Sequence, residues 1–252
     1  MQSLLLAARF LTIVPVPGPA AARPEHFGRA VAFFPLVGAL LGLAAAALDA
    51  VARLVWPPSV ASALVLVALV LLTGALHLDG FLDTCDGLFL GQPARRLEAM
   101  RDSRVGGFAV AGGLSLYLIK FAALASVGTP ARPAALTLGP VLGRLGIAWA
   151  LVRQPYARPA GLGSAFKDNA RSGYLVAALA MALAPAAWFG VAGVACLLAA
   201  LVWAWAAAGL IRRRLGGLTG DTYGFICETV ETLTFLVVAA VPVRLASWAA
   251  LA

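Results

Sequence analysis

The sequence predicts an all-α, polytopic membrane protein, a helical bundle of about seven transmembrane helices, with six to eight as the range. Of its 252 residues, 62% are hydrophobic and 12% are charged, whereas a soluble domain is roughly 45–50% apolar and about 25% charged. The 19 basic and 11 acidic side chains are too few to cover a globule of this length. No domain boundary is evident, so residues 1–252 are expected to form one integral membrane domain.

Seven apolar stretches approach the roughly 20 residues that a membrane-spanning helix requires. They cover residues 31–51, 60–78, 106–127, 134–152, 173–190, 191–211 and 225–248. The fifth and sixth stretches are nearly continuous, so they form either a tight hairpin or one broken helix. Before them, the segment LLLAARFLTIV is interrupted by Arg9. It predicts a short amphipathic helix in the membrane interface that ends at Pro15 and Pro17.

The positions of Lys and Arg predict the orientation, because cytoplasmic loops carry an excess of positive charge. If the loop before the first span is cytoplasmic, 13 basic residues lie in cytoplasmic loops, and only Arg53, Arg132 and Arg244 lie on the opposite side of the membrane. The net charge of +8 is therefore interpreted as an orientation signal rather than a nucleic-acid surface. The 13 basic residues expected in cytoplasmic loops are Arg23, Arg29, Arg95, Arg96, Arg101, Arg104, Arg153, Arg158, Lys167, Arg171, Arg212, Arg213 and Arg214.

Three aspartates lie close together in the segment LHLDGFLDTCDGLF. On a helix, Asp79, Asp83 and Asp86 would share an arc of about 60°. Carboxylates on one apolar-flanked face repel one another unless a cation compensates them. Oxygen ligands suit Mg²⁺, which is usually held by a few carboxylates together with substrate phosphates. The alternative is that these aspartates are solvated at the interface or pair with nearby arginines.

A second acidic segment, GGLTGDTYGFICETVETL, carries Asp221, Glu228 and Glu231. These residues share one helix face less tightly than the first three aspartates do. Both segments end on the same predicted face of the membrane, so we expect one shared site. All six carboxylates are candidate metal ligands.

The cytoplasmic loops also supply candidate ligands for substrate phosphates. Arg101 and Arg104 lie in MRDSRVGG, and Arg158 and Lys167 lie in RQPYARPAGLGSAFKD. Both segments combine basic side chains with glycines that allow close approach of the backbone to phosphate. The alternative for each residue is that it anchors a helix at the membrane interface.

Lys120 and Arg144 interrupt apolar stretches, and an intramembrane base is a candidate functional residue. For Lys120, which lies near mid-span, the alternative is internal pairing. His77 is two residues from Asp79, so it is either a ligand or proton acceptor or a hydrogen-bonded packing residue. The glycines at 38 and 42 and at 139 and 143 predict close helix packing.

The segments TGALHLDGFLDTCDGLF and RRLEAMRDSRVGGFAV resemble the signature of the cobalamin synthase family, the adenosylcobinamide-GDP ribazoletransferases. PYARPAGLGSAF and GGLTGDTYGFICETVETLTFL resemble later blocks of that family in the same order. The resemblance covers residues 4–240. One departure is FLTIVPVP near the N-terminus, where the family pattern reads FLTRIPVP.

The resemblance implies a transferase of the bacterial inner membrane, and the positions of the basic residues predict that its active site is on the cytoplasmic side. It implies that adenosylcobinamide-GDP is joined to α-ribazole or its 5′-phosphate with release of GMP, and that Mg²⁺ is required. Asp83 or Asp86 is then the candidate base, and the second acidic segment completes a two-metal site or binds the ribazole side. Membrane lipid is the other expected partner, and a homo-oligomer is one alternative for the assembly.

Three other functions fit the sequence less well. A CDP-alcohol phosphotransferase has the pattern DGxxAR, but Phe81 to Thr84 follow Asp79-Gly80 here. An aromatic prenyltransferase has an NDxxDxxxD spacing, which DxxxDxxD does not match. An ion-coupled transporter places its acids near the bilayer midplane, whereas these acids lie at the predicted cytoplasmic ends of spans.

Overall fold

The computed structural model describes residues 1–17, 23–102, 104–158, 161 and 163–241. Within these ranges the secondary structure is helical apart from one isolated bridge between Tyr156 and Leu218, so the predicted all-α class is confirmed. The α-helices in the described ranges are α1 (Gln2–Leu11), α2 (Pro24–Ala32), α3 (Phe34–Ala52), α4 (Pro58–Leu72), α5 (Leu76–Phe89), α6 (Arg96–Ala99), α7 (Gly107–Ser126), α8 (Arg132–Arg153), α9 (Ser164–Asn169), α10 (Ser172–Trp188), α11 (Gly190–Leu215) and α12 (Gly220–Ala240).

Each of the seven predicted spans overlaps one of these helices, but fewer of the helices are long enough to cross a membrane. In the described part of the chain, five helical segments are long and apolar enough to cross a membrane. The number is six if α4 and α5 are counted together as one broken span. The helix α4 has 15 residues and α10 has 17, short of the roughly 20 that a span requires. The five segments are Phe34–Ala52, Gly107–Ser126, Thr129–Arg153, Gly190–Leu215 and Gly220–Ala240.

The second predicted span is not one continuous helix. The helix α4 ends at Leu72, and the chain bends by 89° before α5 begins at Leu76. Gly74 and Ala75 both have positive φ, 59° and 57°, at this bend, a conformation that Gly adopts readily and Ala rarely does. The aspartates of the first acidic segment therefore lie on a separate helix.

The predicted N-terminal helix is present as α1, which ends at Leu11, earlier than the two prolines. Thr12 follows it, and the Thr12 hydroxyl donates a hydrogen bond to the carbonyl of Ala8 at 2.8 Å. Ala7 and Leu11 of α1 are fully buried in the protein core. This helix therefore contributes to the bundle in addition to any contact with the membrane interface.

The helix α8 lies at the centre of the bundle and is buried over most of its length. The helix α3 packs closely against it, because a Cβ atom at Gly42 would lie only 2.7 Å from the Cα atom of Thr137. Gly38 meets the α8 backbone in the same way at Pro140 and Val141. The prediction of close helix packing at residues 38 and 42 is confirmed.

Two glutamates of α12 form buried ion pairs with bases of α7 and α8. Lys120 Nζ donates to Glu228 Oε2 and to Glu231 Oε2, each at 2.7 Å. Arg144 Nη1 donates to Glu231 Oε1. All four residues are buried, so the internal-pairing alternative for Lys120 is confirmed, and Arg144 is found to pair internally as well. We refer to Lys120, Arg144, Glu228 and Glu231 as the four-charge network.

A second buried pair connects α3 and α8. The Arg132 guanidinium donates from Nε to Asp49 Oδ2 at 2.8 Å, and its Nη1 donates to the carbonyl of Leu124 at 2.8 Å. Arg132 Nη2 also donates to the Ser62 hydroxyl of α4 at 3.0 Å. One buried arginine therefore links three helices and the end of α7.

Replacing Lys120 by Met should destabilise the protein by about 3–5 kcal/mol, because removing one partner leaves a buried charge uncompensated. The measurement is the thermal unfolding midpoint of the protein in detergent. The double variant K120M/E228Q leaves Glu231 paired with Arg144, so it should recover most of the loss. A double variant no more stable than K120M would contradict the pairing.

Replacing Gly224 by Ala should destabilise the protein by about 1–3 kcal/mol through overpacking. A Cβ atom there would lie 2.6 Å from the His77 carbonyl oxygen of α5. The matched control is Gly209→Ala in α11, where a Cβ atom meets nothing within 4 Å. The control should be unchanged or stabilised by up to about 1 kcal/mol. Equal unfolding midpoints for the two variants would rule out a tight contact at Gly224.

Candidate functional site

The structure brings the start of the second acidic segment against the first. A Cβ atom at Gly80 of α5 would lie 2.6 Å from the carbonyl oxygen of Asp221, the second residue of α12. The ring of Phe81 also stacks on that of Phe225, with 5.2 Å between centroids and 5° between planes. Two glycines, Gly80 and Gly224, thus allow α5 and α12 to touch along their backbones, and Asp221 joins the aspartates of α5.

Beside this contact, the loop after α8 is hydrogen-bonded to the loop between α11 and α12, and the start of α6 is hydrogen-bonded to the end of α11. The amide of Ala157 donates to the carbonyl of Leu218 at 2.7 Å, and the amide of Leu218 donates to the carbonyl of Pro155 at 2.8 Å. Arg96 Nη1 donates to the carbonyl of Arg214 at 3.1 Å. The loops expected on one membrane face therefore lie together, as the positions of the basic residues predict.

Arg158 pairs with Asp221 and borders a small cavity. Its Nη1 lies 2.9 Å from Asp221 Oδ2. We call the adjoining space of about 240 Å³ the tyrosine cavity. Its polar lining comes from α5, α12 and the loop after α8, and consists of His77, Asp79, Tyr156, Arg158, Asp221 and Tyr223. Burial raises the pKa of the Tyr156 phenol, which is therefore protonated at neutral pH.

A second cavity of about 350 Å³, the aspartate cavity, borders α5 further along the helix. Asp79 lines both cavities. Asp83 is half-buried here, with the like charges of Asp79 and Asp221 nearby. The polar residues that line the aspartate cavity are Asp79, Asp83, Asp86, Arg101, Asp102 and Arg104.

Asp86 binds the N-terminus of α7. Its Oδ2 accepts a hydrogen bond from the amide of Gly106 at 2.7 Å, and its Oδ1 accepts one from the amide of Ala109 at 2.9 Å. A side chain at Gly106 would place Cβ 2.5 Å from Oδ1, so only glycine fits there without displacement. Asp86, predicted as a catalytic residue and metal ligand, thus has a helix-capping role that the sequence did not indicate.

Asp102 also lines the aspartate cavity, although the sequence did not identify it as a candidate site residue. Arg104 donates to Asp102 Oδ1 from Nε at 3.0 Å and to Oδ2 from Nη2 at 2.7 Å. These hydrogen bonds lower the pKa of Asp102 to about 2, so it is charged at neutral pH. Its position between Arg101 and Arg104 was the available signal. Arg101 and Arg104 themselves are exposed at the mouth of the cavity.

Lys167 lines neither cavity, in contrast to its predicted role in binding phosphate. Its Nζ donates to the carbonyl of Leu151 at 3.0 Å, in the last turn of α8. Burial lowers the pKa of Lys167, and Asp168 partly offsets this effect. In this structure Lys167 satisfies a free carbonyl at the C-terminus of α8.

Glu228 and Glu231 also differ from their prediction as metal ligands beside Asp221. Helical periodicity gave them nearly the same face, but they lie about 10 and 15 Å further along the axis at 1.5 Å per residue. Lys120 and Arg144 neutralise them there. Of these three acids, only Asp221 lines one of the two cavities.

The carboxylates of α5 provide the oxygen donors that Mg²⁺ prefers. Within the described ranges, however, no three His, Cys, Asp or Glu side chains form a group that could hold a metal ion by themselves. A magnesium ion at this site would therefore need ligands from water or from a bound phosphate. The chemistry of Asp79, Asp83 and Asp86 fits such a partly solvated ion.

Comparison with known proteins finds relatives over almost the whole chain. The model of the cobalamin-5-phosphate synthase family matches residues 3–239. A protein of Pseudomonas paraeruginosa named adenosylcobinamide-GDP ribazoletransferase is 40% identical, over 95% of this chain and 98% of its own length. Relatives of the same name from Desulforamulus reducens and Roseiflexus sp. are 38% and 41% identical. They cover 97% and 90% of this chain and 99% and 85% of their own lengths.

No solved structure matches the chain. The family match spans almost all of the described residues, and it includes both acidic segments and the loops that connect them. The resemblance inferred from the sequence is confirmed, and the chain belongs to the cobalamin-5-phosphate synthase family.

Proposed function

We propose that this chain joins adenosylcobinamide-GDP to α-ribazole or its 5′-phosphate and releases GMP. The observation that carries the proposal is the presence of two cavities, one rich in aspartates and one lined by Arg158 and tyrosines, that share Asp79. A transferase with two substrates needs two adjoining binding sites whose reacting groups meet. The names of the relatives supply the two substrates.

The reaction exchanges one phosphorus–oxygen bond for another. A ribose hydroxyl of the ribazole attacks the phosphorus attached to the corrinoid, and the bond from that phosphorus to the GMP oxygen breaks. The hydroxyl proton passes to a base, and GMP leaves with the bonding electron pair. In such transfers the protein mainly positions the reactants and neutralises the developing charge.

Asp83 is the carboxylate best placed to accept that proton. It lies half-buried in the aspartate cavity beside Asp79. Asp86, the other candidate, has both oxygens hydrogen-bonded to the N-terminus of α7. Both oxygens of Asp86 are therefore already engaged, whereas Asp83 is free to meet the attacking hydroxyl.

Asp79, Asp83 and Asp86 are the residues proposed to hold Mg²⁺ together with the substrate pyrophosphate. The ion, when bound, supplies positive charge that offsets the charge developing on the pyrophosphate. Arg101 and Arg104 at the mouth of the aspartate cavity are proposed to bind the phosphates of the GDP-bearing substrate.

We further propose a bacterial inner membrane location with the site on the cytoplasmic side. The basic residues of the loops joined beside the site support this orientation, because Lys and Arg accumulate in cytoplasmic loops. The apolar helix surfaces, such as Leu114 and Leu118 of α7, are exposed and suit contact with lipid.

Replacing Asp83 by Asn should lower the rate of GMP release by about 10²- to 10⁴-fold, the usual contribution of a general base. The assay is Mg²⁺-dependent GMP formation in proteoliposomes supplied with both substrates. Asp168→Asn, an exposed aspartate of α9 outside both cavities, is the matched control and should keep full activity. Full activity in D83N with normal membrane insertion would contradict the role of Asp83.

Replacing Arg101 by Gln should raise the apparent KM for adenosylcobinamide-GDP about tenfold with little change in kcat, because a charged contact to phosphate contributes about 1.5–3 kcal/mol. Steady-state kinetics with varied GDP-bearing substrate measure this effect. Arg171→Gln, another exposed loop arginine, is the control. An unchanged KM in R101Q would show that Arg101 does not bind this substrate.

A further inference from the structure

We propose that the tyrosine cavity binds the acceptor as a nucleoside 5′-phosphate, with Arg158 holding the phosphate and with His77 and Tyr223 hydrogen-bonded to the nucleoside. This inference rests on the proposed transferase function and assigns one of its two substrates to named residues. It is carried by buried polar atoms that have no partner in the described part of the protein.

Four polar atoms at this cavity lack a hydrogen-bond partner among the described residues. They belong to His77 (Nε2), Tyr223 (Oη) and Arg158 (Nε and Nη2). His77 is 3% exposed and Tyr223 is 4% exposed. Buried polar groups are nearly always hydrogen-bonded, and several unpaired ones lining one cavity indicate that a ligand supplies their partners.

The unpaired atoms of Arg158 define the kind of ligand. Its Nη1 is engaged by Asp221 at 2.9 Å. The remaining Nε–H and Nη2–H groups lie on one edge of the planar guanidinium and point in the same direction. Such an edge binds two oxygens of a phosphate or carboxylate at once. Asp221 holds the guanidinium in place at the border of the cavity, with this edge unpaired among the described residues.

The side chains that line the cavity suit a ligand that carries a flat apolar group. Phe10, Leu76 and Ile147 form its apolar surface, and the rings of Tyr156 and Tyr223 lie 6.4 Å apart with 30° between their planes. Aromatic rings pack favourably against such surfaces by stacking and edge contacts. The hydroxyl of Tyr223 and the imidazole of His77 add polar groups suited to a sugar or a base nitrogen.

The size of the cavity distinguishes the acceptor from the donor. Its volume of about 240 Å³ lies near the lower end of the roughly 300–1,000 Å³ of small-molecule sites. A corrinoid joined to GDP is far larger than a nucleotide, so the smaller substrate is the better match to this cavity. Asp79 lies at the boundary with the aspartate cavity, so an acceptor bound here has its hydroxyls near the proposed base.

The test is equilibrium binding of α-ribazole 5′-phosphate and of α-ribazole to the full chain in nanodiscs, without the GDP-bearing substrate. Inorganic phosphate and GMP serve as competitors. The wild-type protein should bind the phosphorylated nucleoside at least tenfold more tightly than α-ribazole. Both competitors should displace it only at much higher concentration than α-ribazole 5′-phosphate itself.

Two variants separate the contacts. Tyr223→Phe removes one hydroxyl and should weaken binding of both nucleosides about tenfold. Arg158→Lys keeps the charge but loses the two-atom edge, and should reduce the preference for the phosphorylated form to below threefold. Tyr174→Phe, outside the cavity, is the control and should bind both as the wild type does. The apparent KM for adenosylcobinamide-GDP should be unchanged in Y223F.

Three outcomes would overturn the inference: unchanged acceptor affinity in both variants, a raised KM for the GDP-bearing substrate alone, or equally strong binding of inorganic phosphate or GMP. Failure of the transferase proposal is a separate result, recognised when the wild-type protein forms no GMP with either acceptor. Acceptor binding measured without donor therefore decides the cavity assignment independently of turnover.

Discussion

The neutralisation of two buried glutamates by one lysine and one arginine is the constraint on which the rest of the structure depends. The four-charge network carries two positive and two negative charges, and its members are buried on three helices. Removing charges from water costs several kcal/mol per ion unless they are paired with good geometry. The network therefore fixes the rotation of α12 about its axis and its position relative to α7 and α8. That rotation directs the first turn of α12, with Asp221, towards α5.

A second connection completes the arrangement at the other end of α7. Lys120 joins α7 to α12, while Asp86 of α5 binds the amides at the start of α7. The close backbone contacts at Gly80 and Gly224 join the third pair of helices, α5 and α12. The three helices thus hold one another in a triangle, and both cavities lie beside it. Charge, helix capping and close glycine packing each contribute one side.

Much of the fold follows from the sequence, because composition and apolar periodicity depend on local residues. The positions of the helices, the gathering of basic loops on one face and the close packing at Gly38 and Gly42 could all be predicted. The break after Leu72 could not be predicted from hydropathy, because no charged residue marks it. Its signal was Gly74, and the positive φ at Ala75 is imposed by the fold.

The site could be predicted only in part, because the sequence reveals the local periodicity of a helix and not its long-range contacts. Helical periodicity gives the direction in which a side chain points but not its distance along the axis. It therefore grouped Glu228 and Glu231 with Asp221, although only Asp221 reaches α5. The partners of the glutamates, Lys120 and Arg144, are more than 80 residues away in the chain. Such long-range pairing cannot be derived from the spacing within one segment.

The difference in exposure between the two sets of arginines explains how one site can receive two unequal substrates. Arg101 and Arg104 are exposed, so they can meet a large donor that approaches from the open side. Arg158 is mostly buried, with 12% of its side chain exposed, and it suits a small acceptor that enters the enclosed cavity. A buried guanidinium interacts more strongly with phosphate than an exposed one, because water screens it less. In the proposed arrangement, the hydroxyl of the small acceptor lies beside Asp79, and the larger donor brings its pyrophosphate to the aspartates. We therefore place the proposed exchange of phosphorus–oxygen bonds beside Asp79, which lines both cavities.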